Sequence, residues 1–163
     1  MPASPTELFD RHHVAIYRYA LRMTGTREAA EDVTQEVFLR VIRSQDRYDG
    51  RDRERAWLLR ITRNLIIDLH RRHRRSPVDE HSSDEASCGA SQDLVLAVRQ
   101  AVGRLDSDDR DVFLLRFIGG LGHDEIADVV GLSPAAVRSR IYRARVALRS
   151  MLAHTASEPR HLG

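Results

Sequence analysis

A chain of 163 residues with 42% hydrophobic content has enough apolar side chains for one compact domain or two small ones, which excludes a wholly disordered protein. No apolar stretch approaches the roughly 18 residues of a membrane span, and residues 1–10 lack a basic region followed by an apolar run, so neither insertion nor a secretory signal is expected. Cys88 is the only cysteine; it can form neither an internal disulfide nor a thiolate-rich zinc site, and it suits a cytoplasmic location.

The net charge of +2 conceals +5 on residues 1–75, −5 on residues 76–98 and +2 on residues 99–163. All 26 basic side chains are arginine, whose planar fork matches phosphate oxygens and guanine edges. An arginine-only chain can reflect genome composition. The placement of those arginines, two basic blocks around an acidic strip, points to nucleic acid.

Apolar residues recur at three- and four-residue spacing almost throughout, so the reading is all-α with no strand. A first helix is expected from about Thr6 to Met23, with Leu8, Val14 (or Ala15), Tyr17 (or Ile16) and Leu21 inward and Gly25 ending it. A second, about Arg27 to Ser44, buries Ala30, Val33, Val37 and Val41. Residues Gln45 to Arg53 are Asp-, Arg- and Gly-rich and form a loop. A third helix runs from about Glu54 to Arg74, with Trp57, Ile61, Leu65 and Leu69 at i, i+4 spacing as its inward row.

Ser76-Pro77 stops that helix, because proline disfavours helical geometry in the residue before it. Residues 76–91 offer almost nothing to bury and read as a linker. Fully extended, those 16 residues reach at most about 55 Å. Helical periodicity resumes at Asp93 with Leu94, Val98, Ala101, Val102 and Leu105, and the last ten residues read as a frayed tail. The expected organisation is two small helical domains, residues 1–75 and 92–153, with a linker between them and a tail at 154–163.

The second domain carries a helix-turn-helix. A short helix presents Ile126, Ala127 and Val130, Gly131 makes the turn, and Leu132 plugs the space between the helices. Ser133 is an N-cap and Pro134 occupies the first helical position, where its missing N–H costs nothing. Val137, Ile141, Ala144 and Leu148 face the core, which leaves Arg138, Ser139, Tyr142, Arg143 and Arg145 outward or flanking. Such a helix fits a major groove, where an arginine can pair with both acceptors of guanine. Ser133, at a helix N-terminus, suits a phosphate. The bland alternative is a solvated arginine-rich face.

Ala30-Glu-Asp-Val-Thr-Gln-Glu-Val-Phe38, then Ala56-Trp-Leu-Leu-Arg-Ile-Thr-Arg-Asn-Leu-Ile-Ile-Asp68, then the helix-turn-helix together resemble the conserved regions of extracytoplasmic-function (ECF) sigma factors of bacterial RNA polymerase. The resemblance runs from about Leu8 to Leu152. It implies a region 2 helical bundle at the N-terminus and a region 4 helix-turn-helix at the C-terminus. It also implies a transcription initiation factor that is not an enzyme, with no cofactor and no metal. The implied partners are core RNA polymerase (its β′ clamp helices and β flap), promoter DNA and an anti-sigma factor.

By resemblance, the stripe Asp32, Gln35, Glu36, Leu39 and Arg43 docks on core polymerase, with Leu39 as the apolar anchor. The alternative is a salt-bridged surface helix in which Glu36 reaches Arg40. By the same resemblance, Arg60, Arg63, Asn64, Arg71 and Arg74 line the surface that melts and holds the −10 element. Tyr48 either stacks on a freed base or folds onto its own domain. The −35 element falls to Ser133, Arg138, Ser139, Tyr142, Arg143 and Arg145. The linker acids Asp79, Glu80, Asp84 and Glu85 either imitate RNA in the polymerase cleft or simply keep the linker solvated. Two departures from the family pattern stand out. Leu105-Asp106 replaces Leu-Pro, with Asp106 as the substitute N-cap, and Ala135-Ala136-Val137 replaces Gly-Thr-Val, losing one hydroxyl that could meet a phosphate.

His70 and His73, embedded among arginines without a carboxylate partner, are expected to be DNA-facing or solvated rather than metal ligands, and the same is expected of His12, His13 and His123. The rival readings are a stand-alone helix-turn-helix regulator, which would bind duplex DNA tightly without polymerase, and a protein that sequesters polymerase without opening promoters.

Overall fold

The computed structural model describes residues 3–44, 53–75 and 90–157. The loop residue Tyr48 and the acidic linker residues 76–89 lie outside them. The described residues form seven helices and no strand. These are α1 (Pro5–Thr24), α2 (Arg27–Arg43), α3 (Glu54–Arg75), α4 (Ala90–Gly103), α5 (Ser107–Phe117), α6 (His123–Val130) and α7 (Pro134–Ser157).

Local chemistry fixes the helix ends. Ser4 caps α1 by accepting the Glu7 N–H, while Glu7 accepts the Ser4 N–H in return, so two orphan donors are satisfied together. Gly25 closes the same helix at φ 81°, a left-handed conformation that glycine adopts without a steric penalty. Thr26 then caps α2 through the Ala29 N–H. The expected substitute cap at Asp106 is present: its carboxylate accepts the Asp108 N–H at 3.3 Å. Helix α7 continues through Ser157, so the tail expected from residue 154 is still helical there. The preceding α4 begins at Ala90, three residues earlier than the periodicity placed it.

The first three helices pack as a bundle around Leu8, Ile16, Tyr19, Val33, Val37, Val41, Leu58 and Ile66. The inward row of α2 is as expected. That of α1 is so only in part: Leu8 and Ile16 are buried as expected and Tyr17 and Leu21 are half-buried, but Val14 is exposed, and His12, Tyr19 and Ala20 are buried besides. In α3 the buried row is Leu58, Leu59, Thr62 and Ile66, while Trp57, Ile61, Leu65 and Leu69 are half-buried at its flank. The reason is that α3 is covered from two sides. Helices α1 and α2 cover one face and α6 of the second domain packs on another, so the most enclosed row lies between two apolar faces rather than along either.

The second domain encloses Leu115, Leu121, Ile126, Val137, Ile141 and Leu148. Leu94 and Val98 of α4, expected inward, are exposed; only the C-terminal end of that helix, with Ala101 and Val102, enters the core. The two domains are not held apart. Helix α5 touches α1 and α6 touches α3, and Gly119 lies so close to Leu59 that a Cβ there would fall 2.7 Å from the leucine Cδ1.

Candidate nucleic-acid interface

The helix-turn-helix forms as its residues dictate. Gly131 turns the chain at φ 73°, donating its N–H to Ala127, and Ser133 Oγ accepts the Ala136 N–H at 3.1 Å, so it caps α7. Val137, Ile141, Ala144 and Leu148 are all buried. That places Ser133, Arg138, Ser139, Tyr142, Arg143 and Arg145 on the solvent side. Tyr142 is 69% exposed.

These six residues are not equivalent. Arg138 and Tyr142 make no hydrogen bond or ion pair within the described residues. Arg143 is forked onto Asp109, with Nη2 to Oδ1 at 2.7 Å and Nε to Oδ2 at 3.3 Å. Arg140, which the periodicity did not single out, pairs with Asp108 at 3.1 Å. The Arg145 guanidinium sits 5.3 Å from the Phe117 ring centroid, a cation–π distance. The start of α5 thus supplies carboxylates to one side of α7 and leaves the Arg138–Tyr142 side open.

On α3, Asn64, Arg71 and Arg74 are exposed. Arg60 reaches the Asp128 carbonyl at 3.4 Å. Arg63 donates its Nε to Asp111 Oδ2 at 2.6 Å. Asp111 in turn accepts the Tyr19 hydroxyl on its other oxygen at 2.6 Å. Burial first, and then the Asp111 charge, hold the tyrosine hydroxyl well above its ordinary range. None of this was anticipated from the sequence. The available signal was an acid, Asp111, one helical turn before the fully buried Leu115.

Asp32, Gln35, Leu39 and Arg43 are exposed on α2, and Glu36 bonds Arg40 at 2.9 Å, the pair expected from their i, i+4 spacing. Ile42, 57% exposed, lies three residues from Leu39 and widens the apolar spot beyond what the sequence reading assigned. Two histidine expectations need correction. His12 is buried, with Nε2 3.2 Å from Glu54, which also accepts from Arg11. Its carboxylate neighbour makes Nε2 the protonated nitrogen and leaves Nδ1 buried without a partner. Its neighbour His13 stacks on Phe9. The half-buried His70 has its pKa lowered by burial and then by Arg110 of the second domain. No group of three candidate metal ligands occurs among the described residues.

Residues 8–76 match the family described as Sigma-70 region 2, and residues 96–148 match Sigma-70, region 4. The ECF RNA polymerase sigma factor SigL of Mycobacterium tuberculosis is 34% identical over 89% of this chain and 86% of its own length. The chain belongs to the ECF RNA polymerase sigma factors. Another relative, ECF sigma factor SigE of Mycolicibacterium smegmatis, is 36% identical, but this chain spans only 63% of its length. Among solved structures, the complex of CnrH with the cytosolic domain of CnrY matches with TM-score 0.72 and 31% identity over 94% of this chain and 89% of that one. The sigma factor RpoE of Bartonella quintana, bound to the anti-sigma factor NepR, shares the fold with TM-score 0.76 over 89% of this chain and 94% of that one. At 24% identity that likeness concerns the fold alone. The ECF sigma factor described here is therefore a transcription initiation protein rather than an enzyme. No helix among its described residues is long and apolar enough to cross a membrane.

Proposed function

We propose that this sigma factor works in the cytoplasm, docks on core RNA polymerase through the exposed α2 stripe and grips a promoter at two separated elements. The domain of residues 1–75 takes the −10 element and that of residues 92–153 the −35 element. Asp32, Gln35, Glu36, Leu39 and Arg43 meet the β′ clamp helices, with Leu39 and the adjacent Ile42 as the apolar centre of a polar rim. The second domain meets the β flap. Arg60, Arg63, Asn64, Arg71 and Arg74 follow the −10 strand, with Tyr48 stacking on a freed base. The arginines supply salt-dependent backbone attraction and the Asn64 amide reads a base edge. Ser133, Arg138, Ser139, Tyr142, Arg143 and Arg145 meet the −35 duplex.

The observation that carries this reading is the presence, on one chain, of an exposed α7 face whose Arg138 and Tyr142 have no partner among the described residues and an exposed mixed polar and apolar face on α2. A stand-alone regulator needs the first but has no use for the second. Control by an anti-sigma factor is supported by the 31% identical neighbour CnrH, which was solved with a second protein, the cytosolic domain of CnrY, bound. The acidic linker joins the two promoter-binding domains.

The test is run-off transcription with purified core polymerase on a library of genomic promoters. Specific transcripts that need both components support the reading. Tight specific binding to duplex DNA by the chain alone, with no transcripts, would establish the regulator instead. Asn64→Ala is expected to keep duplex binding and lose opening, read as permanganate reactivity of unpaired thymines; full reactivity would remove Asn64 from the site.

A further inference from the structure

Arg143 is held along one edge of its guanidinium. Its Nε and Nη2 donate to the two carboxylate oxygens of Asp109, at 3.3 and 2.7 Å. A guanidinium carries its donors in a rigid planar fork, so this side-on grip uses one edge and leaves the tip, with an N–H from Nη1 and another from Nη2, pointing away from the carboxylate. Those parallel donors match the N7 and O6 acceptors that guanine presents in a major groove.

The acceptor is fixed more firmly than the arginine. The Asp109 side chain is 13% exposed, against 60% for Arg143. It stands in the first turn of α5, where the helix dipole favours a carboxylate, and α5 packs against α7. Arg140, one helical turn before Arg143, pairs with Asp108 at 3.1 Å and lies 4.0 Å from Asp109, so a second cation flanks the carboxylate. A side chain that would otherwise sample many rotamers is thus presented in one orientation from a rigid support.

Charge decides what the tip can meet. The bond to Asp109 and its charge, with a smaller contribution from Asp106, raise the pKa of Arg143. The same carboxylates repel a phosphate brought to the arginine, whereas the neutral acceptors of a base edge feel much less of that repulsion.

We propose that Asp109 is a positioning residue for promoter recognition: it grips the Arg143 guanidinium side-on so that the tip reads one guanine of the upstream element. This rests on the reading of α7 as the −35-binding helix and divides the arginines of that helix. Arg138, without a partner among the described residues, takes its orientation on binding, whereas Arg143 arrives already oriented.

The experiment uses holoenzyme assembled from core polymerase and the full chain. Its template is a promoter recovered by the run-off screen, with the upstream element randomised, and the bound fraction is sequenced. Wild type is compared with Arg143→Ala, Asp109→Ala, Asp109→Asn and the double variant Asp109→Ala/Arg143→Ala. Arg143→Ala is expected to abolish a guanine preference of about tenfold at one position. Asp109→Ala is expected to lower that same preference about threefold, with Asp109→Asn no more severe, and to spare the other positions. The double variant is expected to match Arg143→Ala alone, because the carboxylate acts only through the arginine. Far-ultraviolet circular dichroism establishes that each variant keeps its helices. If Asp109→Ala loses them, the isosteric Asp109→Asn, which lacks the second acceptor, decides.

A guanine preference that is undiminished in the helical Asp109 variants overturns the positioning role, as does a loss spread evenly over every position. A preference that survives Arg143→Ala overturns the base reading. Base preferences unmoved by all the variants remove this proposal alone. Wild-type holoenzyme with no preference anywhere in the upstream element removes the −35 reading as well.

Discussion

Helices α3 and α7 carry the same kind of surface, arginines spaced along one side of a helix whose other side is buried, yet they are in opposite states. On α3, Arg63 and Arg60 are bound by residues of the other domain. On α7, Arg143 and Arg145 are bound by Asp109 and Phe117 of their own domain, and Arg138 is bound by nothing within the described residues. A pairing made within a domain persists whatever the domains do, and it orients a side chain. A pairing made between domains lasts only as long as they touch, and it removes a side chain from use. Identical residue types on helices of like pattern can thus be positioned in one place and withheld in the other.

The strongest way to break that contrast is Arg63→Ala. Stranding a buried carboxylate costs about 3 kcal/mol where the site cannot relax, but here Asp111 can escape by letting the domains separate. The expected result is loss of up to that amount, seen as one cooperative urea transition splitting into two. A single transition at the wild-type midpoint would deny that the network joins the domains. Arg138→Ala tests the open side. Losing a bidentate base contact should weaken the preferred upstream element by about 1–3 kcal/mol while leaving association with core polymerase unchanged. Equal affinity for preferred and scrambled elements before and after the substitution would show that Arg138 reads no base.

Acidification sharpens the comparison from another side. Burial, opposed in part by the hydrogen bond to Glu54, lowers the pKa of His12, and burial with Arg110 lowers that of His70, both from an ordinary value of 6.5. The folded, closed chain therefore binds fewer protons than the unfolded one, so stability falls as pH drops through this range. The urea midpoint should be lower at pH 5.5 than at pH 7.5, and a flat or rising profile would contradict the assignment. The smallest effect is expected from Asp109→Asn, which frees the exposed Arg143 fork. If that arginine then reaches a further phosphate, the slope of log affinity for duplex DNA against log salt steepens by about one unit. An unchanged slope would mean that Arg143 already contacts phosphate in the wild type or never does.

Much of the second domain was legible because its signals are local. The Gly131 turn, the Ser133 cap and the four-residue apolar row of α7 each depend on residues a few positions apart, and all were placed correctly. Periodicity succeeded on α2 for the same reason, since that helix buries one face against one bundle. It failed on α3. A helix covered on two sides has two apolar rows, and spacing alone cannot say that the line between them, Leu58, Leu59, Thr62 and Ile66, is the most enclosed. His12 was expected to be DNA-facing or solvated because a histidine beside a charged residue looks so until Glu54, 42 positions away, is brought alongside.

The amino-acid sequence by itself determined the helices, their caps, the two-part organisation expected of the chain and the family to which it belongs, because each follows from neighbouring residues or from motif order. Only the tertiary structure decided which arginines are free. That depends on carboxylates 34 and 48 positions distant for Arg143 and Arg63, and a charge acquires its partner through space, not along the chain.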